Sequence, residues 1–257
     1  MEKRVAVLID GDNISPKYAE YIRKEAERLG RIEICRLYGT INSPTVKSWY
    51  RVMPMQGITP MLQISYANGK SIADQALTID AMDILHSGQI DVICLVSSDS
   101  DFTKLVYRIK EAGMTVIGMG EQKTNEALAK ACDEFKVIDL ICRTSQKEKN
   151  VEKPETVLPI EDNSSDNSEE IMEVSASINI PTEKEIIGDI LEFLEEGWEN
   201  LANVGIYLSK QRPGFDTRIY GYRNISNLIH SHEDLFEMKK VEAEDKIHYV
   251  VYVKKKS

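Results

Sequence analysis

Two clusters of carboxylates follow apolar runs in this chain. Val5 to Ile9 runs into Asp10, Gly11, Asp12 and Asn13, and Val92 to Val96 runs into Ser97, Ser98, Asp99, Ser100 and Asp101. A third acid, Asp74, stands near the start of a helix-like stretch that opens at Ser71. Carboxylates gathered without matching bases repel one another, and like charges in contact cannot all stay ionised. A hard divalent cation removes that conflict. Mg²⁺ and Mn²⁺ take oxygen ligands, retain several waters and suit phosphoryl chemistry, where a bound ion activates water and stabilises the attacking and leaving oxygens.

Such chemistry needs elements that bring the acids together. Apolar strand-like runs alternate with helix-like stretches from Val5 to Ile138: Val5 to Ile9, Ile32 to Leu37, Pro60 to Ile64, Val92 to Val96, Thr115 to Met119 and Phe135 to Ile138 are the runs. The stretches between them are Pro16 to Leu29, Pro44 to Met55, Ser71 to His86, Phe102 to Ala112 and Thr124 to Ala131. This pattern predicts an α/β fold with a parallel sheet and helices on both faces. Ligands of such sheets bind beyond the carboxyl ends of the strands, near the point where strand order reverses. If the first and fourth strands are neighbours, the two acidic tips face each other there.

Each candidate has a plainer reading. A carboxylate in the first turn of a helix, as Asp74 is, is favoured by the helix dipole alone. Asn13 suits an Asx turn or the cap of the helix after Pro16. Lys70 is placed to put a positive charge on a substrate backbone, or to be a solvated loop lysine. Asp80 and Asp83 lie farther along the same helix and turn away from the face of Asp74, so exposure or a structural hydrogen bond is expected, with Asp80 near enough to support the site.

From Arg143 to Pro181 the chain is rich in Ser, Asn, Glu and Pro and carries a net charge of −5, half of the total of −10. A flexible acidic linker, 143–181, is the expectation. Beyond it, helical spacing at Glu185 to Leu194 and Leu201 to Ser209 is followed by FDTRIYGYRNISNLIHS and two alternating segments, Phe236 to Val241 and Ile247 to Val253. Three short helices and a hairpin predict a small α+β winged helix-turn-helix over 182–257. The four cysteines form no C-x-x-C pair and are expected as free thiols rather than zinc ligands. No apolar run of membrane-spanning length and no signal-peptide pattern is present, so a cytoplasmic protein without a membrane partner is expected.

The ordered set LIDGDN at 8–13, GKSIADQALTID at 69–80, VSSDSDF at 96–102 and TNEALAKACDEFKVI at 124–138 resembles the NYN domain, a PIN-like nuclease fold, in its LabA-like branch. The resemblance covers 1–142. It implies a ribonuclease site dependent on Mg²⁺ or Mn²⁺, carried onto Asp10, Asn13, Asp74, Asp99 and Asp101. Asp10, Asp74, Asp99 and Asp101 would be metal ligands, and Asn13 would position water or phosphate; Asp12 is an optional addition. The stretch Gly197 to Lys239 is similar to the OST-HTH or LOTUS domain, which is associated with RNA. In a helix-turn-helix the second helix usually reads the nucleic acid, making Arg218, Tyr222, Arg223 and Asn224 candidate RNA contacts beside Lys70. Tyr220 is expected in packing, and a protein partner for this domain is a second expectation.

Two other readings compete. Asp10-x-Asp12 after a strand also resembles haloacid-dehalogenase-like phosphatases, in which the first Asp is the nucleophile and the second the acid/base. A non-catalytic RNA-binding adaptor would keep the same residues without turnover.

Overall fold

The computed structural model describes residues 2–64, 71–143, 177–194, 197–242 and 249–256. Six strands, β1 (Arg4–Asp10), β2 (Arg31–Thr40), β3 (Thr59–Gln63), β4 (Val92–Val96), β5 (Thr115–Gly120) and β6 (Glu134–Val137), form one sheet in the order β3-β2-β1-β4-β5-β6. Every pairing in it is parallel. The order reverses between β1 and β4, whose register pairs Ile9 with Val96, so Asp10 and Ser97 leave the sheet side by side.

Helices cover both faces: α1 (Ala19–Leu29), α2 (Pro44–Trp49), α3 (Val52–Gln56), α4 (Ile72–Ser87), α5 (Thr103–Glu111) and α6 (Glu126–Ala131). Burial on both sides explains the continuous apolar character of β1 and β4. Alternate residues serve opposite cores. Ala6, Leu8, Ile93 and Leu95 meet α4 and α5 residues such as Leu77 and Val106, while Val5, Val7, Ile9, Cys94 and Val96 meet α1 and Trp49.

One helix expected from Pro44 to Met55 is two, broken at Tyr50 and Arg51. Pro54 explains the break, because a proline inside a helix lacks the N–H that would bond residue i−4, here Tyr50, and its ring crowds that carbonyl. All four cysteines are free thiols, and burial pushes those of Cys94 and Cys132 up to about 12.

The second unit contains α7 (Glu183–Phe193), α8 (Leu201–Gln211), a 3-10 turn at Thr217–Tyr220, α9 (Ile225–His230) and the strands β7 (Glu199–Asn200), β8 (Phe236–Glu242) and β9 (Tyr249–Lys255). Its antiparallel sheet has the order β7-β9-β8 and packs one face on a core of Ile186, Ile190, Val204, Leu208, Leu228 and Val253. Thr182 opens α7 with a reciprocal capping box to Glu185, which fixes where this unit begins.

Most of the expected linker, 144–176, lies outside the described residues. Its end, 177–181, differs from a free coil. Ile178 is 3% exposed within the first unit's core, its N–H donates to the Thr124 carbonyl at 3.1 Å, and Ser177 bridges to Asn125. An apolar side chain in a segment otherwise poor in them finds a buried seat beside Phe135 and Val137.

Among the described residues no helix is long and apolar enough to cross a membrane.

Candidate active site

Asp10 is the last residue of β1 and is 1% exposed. Its Oδ2 accepts from the Ser97 hydroxyl at 2.6 Å and from the Asn13 side-chain amide at 2.8 Å, and its Oδ1 accepts from the Asn13 backbone N–H at 3.3 Å. These donors favour the charged form. Burial nevertheless dominates, and together with the charge of Asp74 it pushes the Asp10 carboxyl up to about 6.

The loop that carries Asn13 is fastened from below. Ile14 is fully buried, its N–H donates to the Asp10 carbonyl at 3.0 Å, and its own carbonyl accepts from the Trp49 indole at 2.9 Å. Gly11 lies against β2, where its N–H donates to the Tyr38 carbonyl at 2.7 Å. A Cβ at this position would lie 2.5 Å from Leu37 Cδ2 and 2.9 Å from that carbonyl oxygen. Glycine is therefore what allows the chain to turn across the sheet between the two acids.

Asp74 lies in the first turn of α4 and is half-buried. Burial raises its carboxyl above the usual value, and after a restraining hydrogen bond from Ser71 the next influences are the charges of Asp99, Asp12 and Asp101, all of which raise it further. Capping therefore does not exhaust its role: the fold brings α4, the β1 tip and the loop after β4 to one acidic crevice. Asp99 caps the 3-10 turn Ser100–Phe102, accepting from the Asp101 N–H at 2.9 Å, while its own N–H donates to Ser97 at 3.0 Å. Asp101 is exposed at the rim.

Three further polar side chains find their partners here. Asn13 holds Asp10 through both of its N–H groups, so its first task is to orient a carboxylate. Asp12 turns to β2, where its Oδ2 accepts from the Thr40 N–H at 3.0 Å and the Thr40 hydroxyl at 3.1 Å. Asp80 is structural: it accepts from Arg36 at 2.6 and 2.7 Å and from the Tyr38 hydroxyl. Asp83 is exposed, as its helical phase indicates.

Ser97 carried no role in the sequence reading. It is 1% exposed and joins Asp10 to the Asp99 backbone. The available signal was its position as the first polar residue after a fully buried strand, directly opposite the β1 acid.

Among the described residues no three His, Cys, Asp or Glu side chains form a ready-made metal cage. The donor set nonetheless suits a hard cation. Mg²⁺ is ordinarily held by one or two carboxylates, with water and substrate oxygens completing the octahedron. The strongest charged influences on Asp10 and Asp74 come from other carboxylates, leaving their repulsion for a cation to relieve.

The candidate RNA contacts of the second unit fall differently. Arg218, Tyr222, Arg223 and Asn224 precede α9, because Gly221 adopts φ 84° and ends the 3-10 turn before that helix begins. Arg218 is engaged in a junction between the units. It donates to Glu25 of α1 at 2.8 and 3.1 Å and to Asp216 at 2.6 Å, and lies over the Tyr21 ring at 5.7 Å. Glu25 is 2% exposed and also meets Arg28 and Lys136. Tyr222 donates to Glu183 at 2.7 Å, and Asn224 caps α9 by accepting from the Asn227 N–H at 2.9 Å. Arg223 is exposed. Tyr220 packs on the core and donates to the Pro181 carbonyl at 2.8 Å. Lys70 lies outside the described residues.

Comparison with known proteins agrees with this division. The NYN domain family matches residues 4–139, and the OST-HTH/LOTUS domain matches 180–248. An uncharacterized protein of the archaeon Methanocaldococcus jannaschii is 29% identical over 125 residues, 47% of this chain and 49% of that protein. The chain thus spans about half the length of this curated relative. A crystal structure of a protein of unknown function from Vibrio parahaemolyticus covers 54% of this chain and 94% of its own at 24% identity, with a TM-score of 0.46. A solution structure of an uncharacterized Nitrosomonas europaea protein covers 38% and 93% at 26% identity, with a TM-score of 0.25. NYN domains have a PIN-like nuclease fold and OST-HTH/LOTUS domains are RNA-associated. With its parallel sheet and the acidic crevice at the reversal of strand order, the chain belongs to the NYN domain family and carries an OST-HTH/LOTUS domain behind it.

Proposed function

We propose that the first unit hydrolyses RNA phosphodiester bonds with Mg²⁺ or Mn²⁺ and that the second helps to hold the RNA. The observation that carries this reading is the uncompensated acidity of the crevice: Asp10 is pushed up to about 6 and Asp74 is raised by its carboxylate neighbours. Among the described residues no basic side chain pairs with Asp10 or Asp74, and buried charge of that kind favours a cation.

Asp10, Asp74 and Asp99 would hold the ion, directly or through water, with Asp101 at the rim. When bound, the ion would supply a water activated for attack and charge stabilisation at the phosphate. The chain's own part is positional. Ser97 and Asn13 hold Asp10 in one orientation through three hydrogen bonds, two on Oδ2 and one on Oδ1. Capping of the 3-10 turn by Asp99 and the bond from the Asp99 N–H to Ser97 fix the β4 loop against the β1 tip. The engagement of Asp12 with Thr40 disfavours the phosphatase reading, which needs Asp10 and Asp12 as a working pair.

The test is incubation of purified protein with labelled single-stranded and structured RNAs, with and without Mn²⁺, beside Asp10→Asn and Asp99→Asn. Cleavage that requires the metal and is lost in both variants is the expected result. Metal-independent cleavage, or full activity in the variants, overturns the mechanism. RNA binding by the wild type without cleavage points to the adaptor reading instead.

A further inference from the structure

With Arg218 spent on Glu25 and Asp216, Tyr222 on Glu183 and Asn224 on a helix cap, Arg223 alone of those four candidates stays exposed, and a surface for nucleic acid needs more than one side chain. The sheet of the second unit has one. Val253 faces the core and pairs with Glu199 and Met238, so the neighbouring register pairs, Tyr252 with Asn200 and with Lys239, lie on the opposite, outer face. Lys254 opposite Glu237 and Val241 opposite Val250 share that face by the same alternation. Trp198, one residue before β7, joins them: Lys239 Nζ lies 4.1 Å and Lys254 Nζ 5.0 Å from its ring centroid. Lys239 Nζ is also 5.7 Å from the Tyr252 ring. Two aromatic rings and two ammonium groups thus occupy one outward face, and among the described residues neither the second unit's core nor the junction with the first unit includes them.

We propose that this outer sheet face, built on Trp198, Tyr252, Lys239 and Lys254, is a binding platform for single-stranded RNA. Ring faces are sequence-tolerant seats for unpaired bases, and lysines beside them meet the phosphates that connect those bases. Charge complementarity favours a polyanion. Lys254 has Glu237 as a partner at 2.7 Å, while Lys239 lies over the two rings without a carboxylate partner among the described residues. In the RNA complex the lysines would swing from ring to phosphate while bases take their place on the rings. The proposal rests on the reading of RNA as this protein's ligand, but it does not require cleavage.

The chain supplies its own reporter. It contains two tryptophans, and Trp49 is fully buried in the first unit, so a change of emission on binding that disappears in Trp198→Phe reports Trp198. The experiment is titration of the full chain with oligo(U) in EDTA, followed by tryptophan emission and by anisotropy of a labelled oligonucleotide. Quenching is expected with the wild type, with Trp198→Ala binding about 5- to 100-fold more weakly and Trp198→Phe retaining most of the affinity. Lys239→Gln should weaken binding and lower the slope of log affinity against log salt by about 0.7. Unchanged affinity in Trp198→Ala and Lys239→Gln, no change of emission on binding, or no binding by the wild type each overturns the platform. Self-association of the wild type that is lost in Trp198→Ala would overturn it in favour of a second copy of the chain on this face. Cleavage under Mn²⁺ judges the catalytic reading separately, because none of these variants touches the acidic crevice.

Discussion

Two acidic clusters in this molecule are treated in opposite ways. At the crevice, burial lifts Asp10 to about 6 and carboxylate neighbours raise Asp74. At the junction Glu25 and Asp216 are also buried, a condition that by itself would raise them, yet Arg218 overrides it and both sit below the ordinary carboxylate range. Arg218 is held firmly protonated in return. Carboxylates withdrawn from water thus have opposite shifts, and the difference is the set of cations led by Arg218, with Lys136 and Arg28 beside it. Where the fold supplies its own cations the acids are architecture; at the crevice no such cation pairs with Asp10 or Asp74 among the described residues. The junction also differs from a surface salt bridge, because its acids are withdrawn from water and cannot exchange Arg218 for solvent without cost.

The largest expected effect comes from breaking the compensated cluster. Arg218→Ala leaves Glu25 and Asp216 buried without their main partner and should destabilise the protein by about 3–5 kcal/mol, measured by denaturant unfolding. An unfolding midpoint equal to that of the wild type would show that the junction opens readily in solution.

Asp10→Asn should act in the opposite direction on metal-free protein. With a folded value of about 6 against an ordinary 3.8, ionised Asp10 costs the fold on the order of 3 kcal/mol at neutral pH. Part of that should return as a higher melting temperature in a variant that loses cleavage. A lower melting temperature would mean that the hydrogen bonds to Ser97 and Asn13 outweigh the buried charge.

Acid titration separates the clusters within one sample. Because the folded state binds the Asp10 proton more tightly, its contribution makes stability rise as pH falls from about 6 to 3.8 and remain level below that. Glu25 and Asp216 have the reverse sign. Their contribution is present in full above the ordinary values of 4.5 and 3.8 and is lost as pH falls through their lower folded values. Unfolding free energy of the metal-free chain should therefore rise between pH 6 and 4 relative to Asp10→Asn, and Arg218→Ala should blunt the later acid loss.

The smallest effect is expected at Asp12. Asp12→Asn keeps an acceptor for Thr40 and should change stability by about 1 kcal/mol or less, with cleavage preserved. Loss of cleavage equal to that of Asp10→Asn would return Asp12 to the catalytic set.

The sequence by itself determined the strands, their burial on both faces and the acids at their ends, because apolar runs and helical periodicity are local properties that each segment carries with it. It also marked Asp10, Asp74 and Asp99, since a strand's carboxyl end is where a parallel sheet opens to ligands. Only the tertiary structure decided what each polar side chain meets. Ser97 reaches Asp10 across 87 positions, and Arg218 reaches Glu25 across 193. Asp12 and Asp10, two positions apart, part company because β1 ends at Asp10 and the chain turns at Gly11 against β2, which brings Asp12 to Thr40 while Asp10 stays beside Ser97. Composition could not separate an arginine that reads RNA from one that locks two domains together. Burial and the partner's charge make that distinction, and both arise only when distant segments pack.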